Sequence, residues 1–242
     1  MCFTINIHAT RDAIENRFNA DASVLSDFEF RYFYRAFENP MIPVITQEHP
    51  GKVQLLQWGL IPHWVKDADQ ADKVRRGTYN ARAESLEKKP SFRKPAENQR
   101  CIVIATGFYE WQHVGGQKIP WLIHHREQDL FGMAGIFDKW TDERQNELID
   151  TFSVITTRAN PLMEKIHNTK KRMPVILDGP GQESRWLSDE PLVTSRKKLL
   201  QPINQKELKA YTVSNKISRS GTNPNDPSVV EQADYPTNGA LF

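Results

Sequence analysis

Short runs rich in β-branched and aromatic residues follow one another along this chain, and that succession narrows its possible folds more than any other feature. They lie at 41–46, 52–58, 101–111, 119–125, 130–137, 151–157 and 173–177 and read as strands. Helical periodicity is weaker and is expected over 11–18, 22–36, 160–167 and 181–200, with Pro161 suited to a first helical turn. Strands in succession, rather than in strict alternation with helices, favour an α+β fold over a doubly wound sheet. Gly115-Gly116 between two apolar runs reads as a hairpin turn. From Ser214 onward Gly, Asn and Pro recur. The expected organisation is therefore one domain over 1–213 with a largely irregular extension over 214–242, docked in part through Val229 and Val230.

The 242 residues are 38% hydrophobic and 10% aromatic, enough for a buried core. Two cysteines make no disulfide framework, and the spacing of Cys2 and Cys101 suggests neither a metal clip nor a redox pair. Cys101 is assigned to the core, as free cysteine behaves as a small hydrophobe. No CxxC or HExxH is present, the N-terminus lacks a basic-then-apolar leader, and no apolar run approaches the roughly eighteen residues of a membrane span. A soluble, cytoplasmic protein is expected. The net charge of +2 conceals an asymmetry: residues 1–50 balance to −3, whereas residues 73–100 balance to +6, and Lys170-Lys171-Arg172 forms a second basic knot. Such concentration suits a polyanion such as nucleic acid, although a charge run also serves simply as a solvated face.

Cys2 stands directly behind the initiator methionine. Removal of Met1 gives an α-amine and a thiol on adjacent carbons, with ordinary pKa values of about 7.7–8.0 and about 8.5, so both are partly deprotonated near neutrality. A 1,2-aminothiol condenses with an aldehyde to an imine, which the thiol closes to a thiazolidine. The same thiol is equally a candidate N-terminal nucleophile on an acyl group, or the second residue of a frayed or strand-bound terminus.

Other segments carry chemistry-bearing side chains with plainer alternatives. Trp58 and Trp64 suit core anchors as well as base-stacking platforms. Asn80 suits a turn, and Arg82 a surface pair with Glu84. Glu110 lies between Tyr109 and Trp111. Desolvation among aromatics raises a carboxyl pKa into the range useful for proton transfer, whereas period-2 alternation would turn Glu110 to solvent. His167 precedes a basic stretch whose cations favour a neutral, proton-accepting imidazole.

As a set, Met1-Cys2, Trp58-Gly59-Leu60-Ile61-Pro62-His63-Trp64, Tyr79-Asn80-Ala81-Arg82-Ala83-Glu84, Gly107-Phe108-Tyr109-Glu110-Trp111 and Ile166-His167 followed by Arg172-Met173-Pro174-Val175-Ile176-Leu177 resemble the SRAP (SOS response-associated peptidase) family. Its members process abasic sites in DNA. Order and separations agree from Cys2 to the Asn225-Asp226-Pro227 region. The resemblance implies a single α+β domain with a central curved, mainly antiparallel, barrel-like sheet flanked by helices and a positively charged groove for single-stranded DNA. Carried over by position, Cys2 is the crosslinking nucleophile, Asn80 aligns the terminal cysteine and the sugar, Glu110 is the acidic residue near the α-amine, and His167 is the acid-base partner at the sugar hydroxyl. Arg82 binds backbone phosphate as a bidentate donor, and Trp64, Trp111 and Arg172 fall where the family meets DNA.

Two departures stand out. Phe3-Thr4 follows Cys2 where the family often has Gly-Arg, and the His167-to-Pro174 segment is longer than the common His-Asp-Arg-Met-Pro form. The implied activity is covalent capture of abasic sites through a thiazolidine crosslink in the DNA-damage (SOS) response. Abasic-site lyase action, crosslink reversal and an autopeptidase (hydrolase) activity on the N-terminus are branches of the same chemistry. No metal or organic cofactor is required. The expected partner is single-stranded DNA carrying abasic sites, the expected state a monomer, and the expected setting the bacterial cytoplasm, nucleoid-associated when bound to DNA. Two other classes compete: an N-terminal-nucleophile amidase or peptidase, and a non-catalytic single-stranded DNA binding module.

Overall fold

The computed structural model describes residues 2–142, 144, 146–191 and 196–236. Thirteen strands appear among them: β1 Thr4–Ile7, β2 Arg31–Arg35, β3 Met41–Thr46, β4 Val53–Trp58, β5 Asn80–Arg82, β6 Arg100–Ala105, β7 Gly107–Val114, β8 Gln117–His125, β9 Phe131–Asp142, β10 Glu147–Arg158, β11 Arg172–Pro174, β12 Ile176–Leu177 and β13 Leu208–Thr212. The helices are α1 Arg11–Phe18, α2 Ala68–Arg75, α3 Pro90–Asn98, α4 Pro161–Ile166, α5 Gly179–Leu187 and α6 Arg196–Leu199. Strands β10, β4, β3, β6 and β9 pair in that order and β9 returns to β10, closing a five-stranded barrel in which only the β10–β4 pairing is parallel. A second sheet runs β13-β8-β7-β1-β2. The α+β class and the barrel-like, mainly antiparallel sheet are as expected.

Alternation along the barrel strands builds two cores at once. Cys101, Val103 and Ala105 of β6 join Phe131, Met133 and Phe137 of β9 and the inward residues Ile5, Ile7, Phe108 and Ile123 of the second sheet. Ile102 and Ile104 turn the other way, to Ile14, Phe92 and Trp186 of the helices. A period of two sends neighbouring residues to opposite faces, and here both faces are covered.

Several boundaries differ from the pattern in the sequence. The helix expected over 22–36 does not form: Ser23–Leu25 is a 3₁₀ turn and β2 follows. The aromatic stretch there alternates, with Phe33 entering one core and Tyr34 another, which suits a pleated strand. The run 101–111 breaks at Thr106, where the chain leaves the barrel for the second sheet and the Thr106 N–H donates to the Asn6 carbonyl. The helix expected over 181–200 is two pieces, α5 and α6, with residues 192–195 outside the described set. Strands β1, β5 and β13 and helices α2 and α3 carried no recognised signal. Gly115 and Gly116 form the β7–β8 turn with φ of 54° and 80°, values glycine adopts without cost. In the tail, Val229 is buried with Val213, Ile217 and Tyr109, and Val230 packs beside them; the end of the expected extension, 237–242, lies outside the described residues. Among the described residues no helix is long and apolar enough to cross a membrane.

One basic residue of the 73–100 stretch serves the interior. Arg100 is fully buried and donates to the carbonyls of Glu97, Trp186 and Ser188, at the ends of α3 and α5. A cation belongs at helix C-termini, where carbonyls lack helical partners. Arg100→Met is expected to lower the unfolding free energy by roughly 3 kcal/mol, because it strands buried carbonyls. Urea titration should show a lower midpoint at unchanged slope; an unshifted midpoint would refute this role.

Candidate active site

Strand β1 places the site. It pairs antiparallel with β2 on one side and with Gly107 and Phe108 of β7 on the other, and the Phe3 carbonyl extends the first pairing by accepting from the Ala36 N–H. The terminus is therefore strand-bound, and Cys2 has no exposed surface. Its thiol is not partly ionised: burial pushes it far above its usual range, and the Glu110 carboxylate adds to the rise.

Glu110 lies on β7 in the same parity as Phe108, while Tyr109 and Trp111 turn to the opposite face. The alternation holds, but this face looks into the protein, because the second sheet is covered on both sides. The carboxyl is 4% exposed, and burial raises its pKa to about 7. A carboxyl at that value holds or releases a proton near neutrality with equal ease.

His167 caps the C-terminus of α4. That short helix starts at Pro161, as expected, and its N-cap Asn160 accepts from the Met163 N–H at 2.9 Å. The imidazole is buried, and burial lowers its pKa to about 4, with nearby cations contributing less. Its Nδ1 lies 2.9 Å from the Arg172 carbonyl. A carbonyl only accepts, so Nδ1 carries the hydrogen and Nε2 keeps its lone pair. Nδ1 is also 3.4 Å from Glu110 Oε1.

Asn80 opens β5, which runs parallel to β10. Its Nδ2 donates to the Cys2 carbonyl at 2.9 Å, while its Oδ1 is buried without a partner among the described residues. The preceding Tyr79 carbonyl accepts from Trp58 Nε1 at 2.9 Å, so Trp58 is a core anchor that fixes this strand. Gly59 follows with φ of 112°, and a Cβ there would meet the Arg75 and Tyr79 side chains. The four residues Cys2, Asn80, Glu110 and His167 thus come from four separate elements into one buried cluster. With a neutral thiol, a neutral imidazole and a carboxyl poised near 7, the cluster can exchange protons at neutral pH with little buried charge.

The other four candidates divide. Trp64 is 45% exposed, on a loop tied down by Asp138, which accepts from the His63 backbone N–H at 3.0 Å. Arg82 is exposed at the end of β5. Trp111 is half-buried and donates to Ser218 at 2.8 Å. Arg172 is largely buried and forked onto Glu84, with contacts of 2.5 and 3.1 Å; Glu84 thus pairs with Arg172 rather than Arg82. Phe37 had no recognised signal in the sequence. It is exposed and stacks on Phe3, the residue after Cys2, with ring centroids 4.8 Å apart.

Comparison with known proteins identifies the family. The family model described as SOS response associated peptidase (SRAP) matches residues 1–220. The abasic site processing protein YoqW of Bacillus subtilis is 37% identical over 237 residues, covering 96% of this chain and 99% of that protein. The abasic site processing protein HMCES of Gallus gallus is 35% identical over 167 residues, 61% of this chain and 48% of that protein. A crystal structure of a protein from Bacteroides thetaiotaomicron superposes with a TM-score of 0.89 at 37% identity, covering 96% of this chain and 100% of that one. With the family model spanning most of its length, the chain belongs to the SOS response associated peptidase (SRAP) family.

Proposed function

We propose that this chain processes abasic sites in single-stranded DNA by capturing the sugar aldehyde on Cys2 once Met1 is removed, forming a thiazolidine crosslink that shields the lesion. The observation that carries this reading is the convergence of Cys2 with a carboxyl titrating near 7 and a neutral imidazole. The similarity to proteins named for abasic site processing supports it.

An abasic deoxyribose is mostly a closed hemiacetal. His167 Nε2 takes the proton of the anomeric hydroxyl and returns it at O4′, opening the ring to the aldehyde. The Cys2 amine adds to C1′, and protonated Glu110 delivers its proton to the departing hydroxyl, so water leaves and an iminium remains. The thiol then adds to C1′ and its proton passes to the Glu110 carboxylate, which restores that group. Aldehyde plus aminothiol gives thiazolidine plus water, with no redox change. Keeping the thiol protonated until ring closure is what its burial achieves. Asn80 holds the Cys2 carbonyl and so orients amine and thiol together. If ring closure is slow, β-elimination from the iminium cleaves the strand, and the same residues assist crosslink release. Arg82 and the exposed bases Lys88, Lys89, Arg93 and Lys94 supply sequence-independent phosphate contacts, and Trp64 offers a base-stacking face.

Processed protein mixed with single-stranded DNA bearing one abasic site should give a slow-migrating band on a denaturing gel. Cys2→Ser should give only a borohydride-trappable imine and more cleaved strand, since the hydroxyl closes poorly. The same heat-stable adduct from Cys2→Ser would sink the thiazolidine, and hydrolysis of amide substrates without any adduct would favour the amidase reading. Unchanged DNA handling in the variant, with no covalent product from either protein, would favour a plain binding module.

Glu110→Gln should slow crosslinking by about 10²-fold or more and remove the inflection near pH 7 from the rate profile. It should also change stability with a defined sign. The folded carboxyl titrates near 7 and an ordinary one at 4.5, so the wild type loses stability as pH rises from the lower value through the higher, and the loss is complete above it. Glu110→Gln is therefore more stable by on the order of a few kcal/mol at pH 8 and equal to wild type below pH 4.5. Parallel stability curves across that range would contradict the assignment.

A further inference from the structure

Strand β7 carries Glu110 between two attachment points. At one end β1 pairs with Gly107 and Phe108 and thereby delivers Cys2. Further along, β1 has ended and the edge of β7 is open at His113. There the Asn168 carboxamide takes the place of a strand neighbour: His113 N–H donates to its Oδ1 at 3.1 Å, and its Nδ2 donates to the His113 carbonyl at 2.9 Å. One residue earlier on β7, Gln112 Nε2 donates to the Lys165 carbonyl in the last turn of α4 at 3.1 Å. His167 therefore stands between two ties to the strand that holds Glu110.

The rest of the His167 loop is anchored elsewhere. Its closing turn is formed by Lys171 N–H donating to the His167 carbonyl at 2.9 Å, with Lys171 at φ of 49°. The Lys171 carbonyl accepts from the Ala159 N–H at the end of β10. Those bonds set the shape of the loop and its distance from the barrel. They do not set its distance from β7. A six-residue helix has little rigidity of its own, so the approach of His167 to Glu110 depends on what spans α4 and β7.

We infer that Asn168 is a positioning residue of this site, a side-chain clamp on the open edge of β7 that keeps the His167 imidazole in register with Glu110. The inference rests on the roles proposed above for those two residues. The clamp acts through His167 and touches neither the sugar nor the thiol. Because Asn168 is exposed, its truncation leaves the freed groups of β7 to water and the chain still folds.

The test compares processed, full-length wild type with Asn168→Ala and Asn168→Asp. Aspartate keeps the acceptor for the His113 N–H but sets a carboxylate oxygen against the His113 carbonyl. Single-turnover crosslinking over a series of abasic-DNA concentrations separates the saturating rate from half-saturation. Asn168→Ala should lower the saturating rate about 10-fold with half-saturation and melting temperature unchanged, and Asn168→Asp should lower it as well. Long-range ¹H–¹⁵N spectra of the imidazole should show His167 in the Nδ1–H form in the wild type and perturbed in both variants. An unchanged saturating rate with an unchanged His167 spectrum would overturn the inference, as would a loss confined to half-saturation or to melting temperature. If the wild type forms no crosslink, the proposed function fails on its own, and the His167 spectra alone then decide the clamp: perturbed signals uphold it and identical signals refute it.

Discussion

The four-residue strand β1, held between β2 and β7, is the constraint on which the rest of the site depends. Chain termini ordinarily fray, and a frayed Cys2 would present its thiol to solvent in many orientations. Pairing on both sides removes that freedom before any substrate arrives. It also directs the first residues of the chain into the core shared by the barrel and the second sheet. The aminothiol chemistry proposed above would need its two nucleophiles held to one carbon in succession, and preorganisation of this kind supplies much of a catalyst's advantage.

A single cause then adjusts the neighbouring groups in directions that suit one another. Burial disfavours charge, so it raises the thiol and the carboxyl and lowers the imidazole. Of the three groups, only the carboxyl is then partly ionised near pH 7. The far face of the second sheet contributes to this. Val213, Ile217 and Val229 cover Tyr109, so the sheet is covered behind this part of β7.

Around the buried cluster, the residues proposed for DNA contact are carried on well-fixed backbone. The Trp64 loop is tied to Asp138, and the Arg82 strand is paired to β10. Positive charge is less uniform than the basic count suggests. Arg100 is spent on helix carbonyls, Arg75 is half-buried against Gln57, and Arg172 is forked onto Glu84. Next to Cys2, the partly buried Phe3 stacks on the exposed Phe37.

The five barrel strands, the α+β class and the hairpin at Gly115-Gly116 were legible in the sequence, because alternation and turn chemistry are local properties, and motif spacing named the candidate site residues. What lay beyond reach depends on partners distant in sequence. Strand β1 is too short for periodicity to reveal. The 22–36 stretch became strand rather than helix because its aromatics had two faces to fill. The sequence left Glu110 open between a desolvated site and a solvent-facing one; the packing of the two sheets made its side of β7 interior, and so only the tertiary structure decided that this carboxyl titrates near 7. The same holds for Asn168, which lies 55 residues from its partner His113 and whose exposed amide meets a strand edge that exists only once β1 has ended. The sequence by itself determined which groups were available and on which side of each strand they fall; the long-range pairing that brings them together and removes water from them decided what they can do.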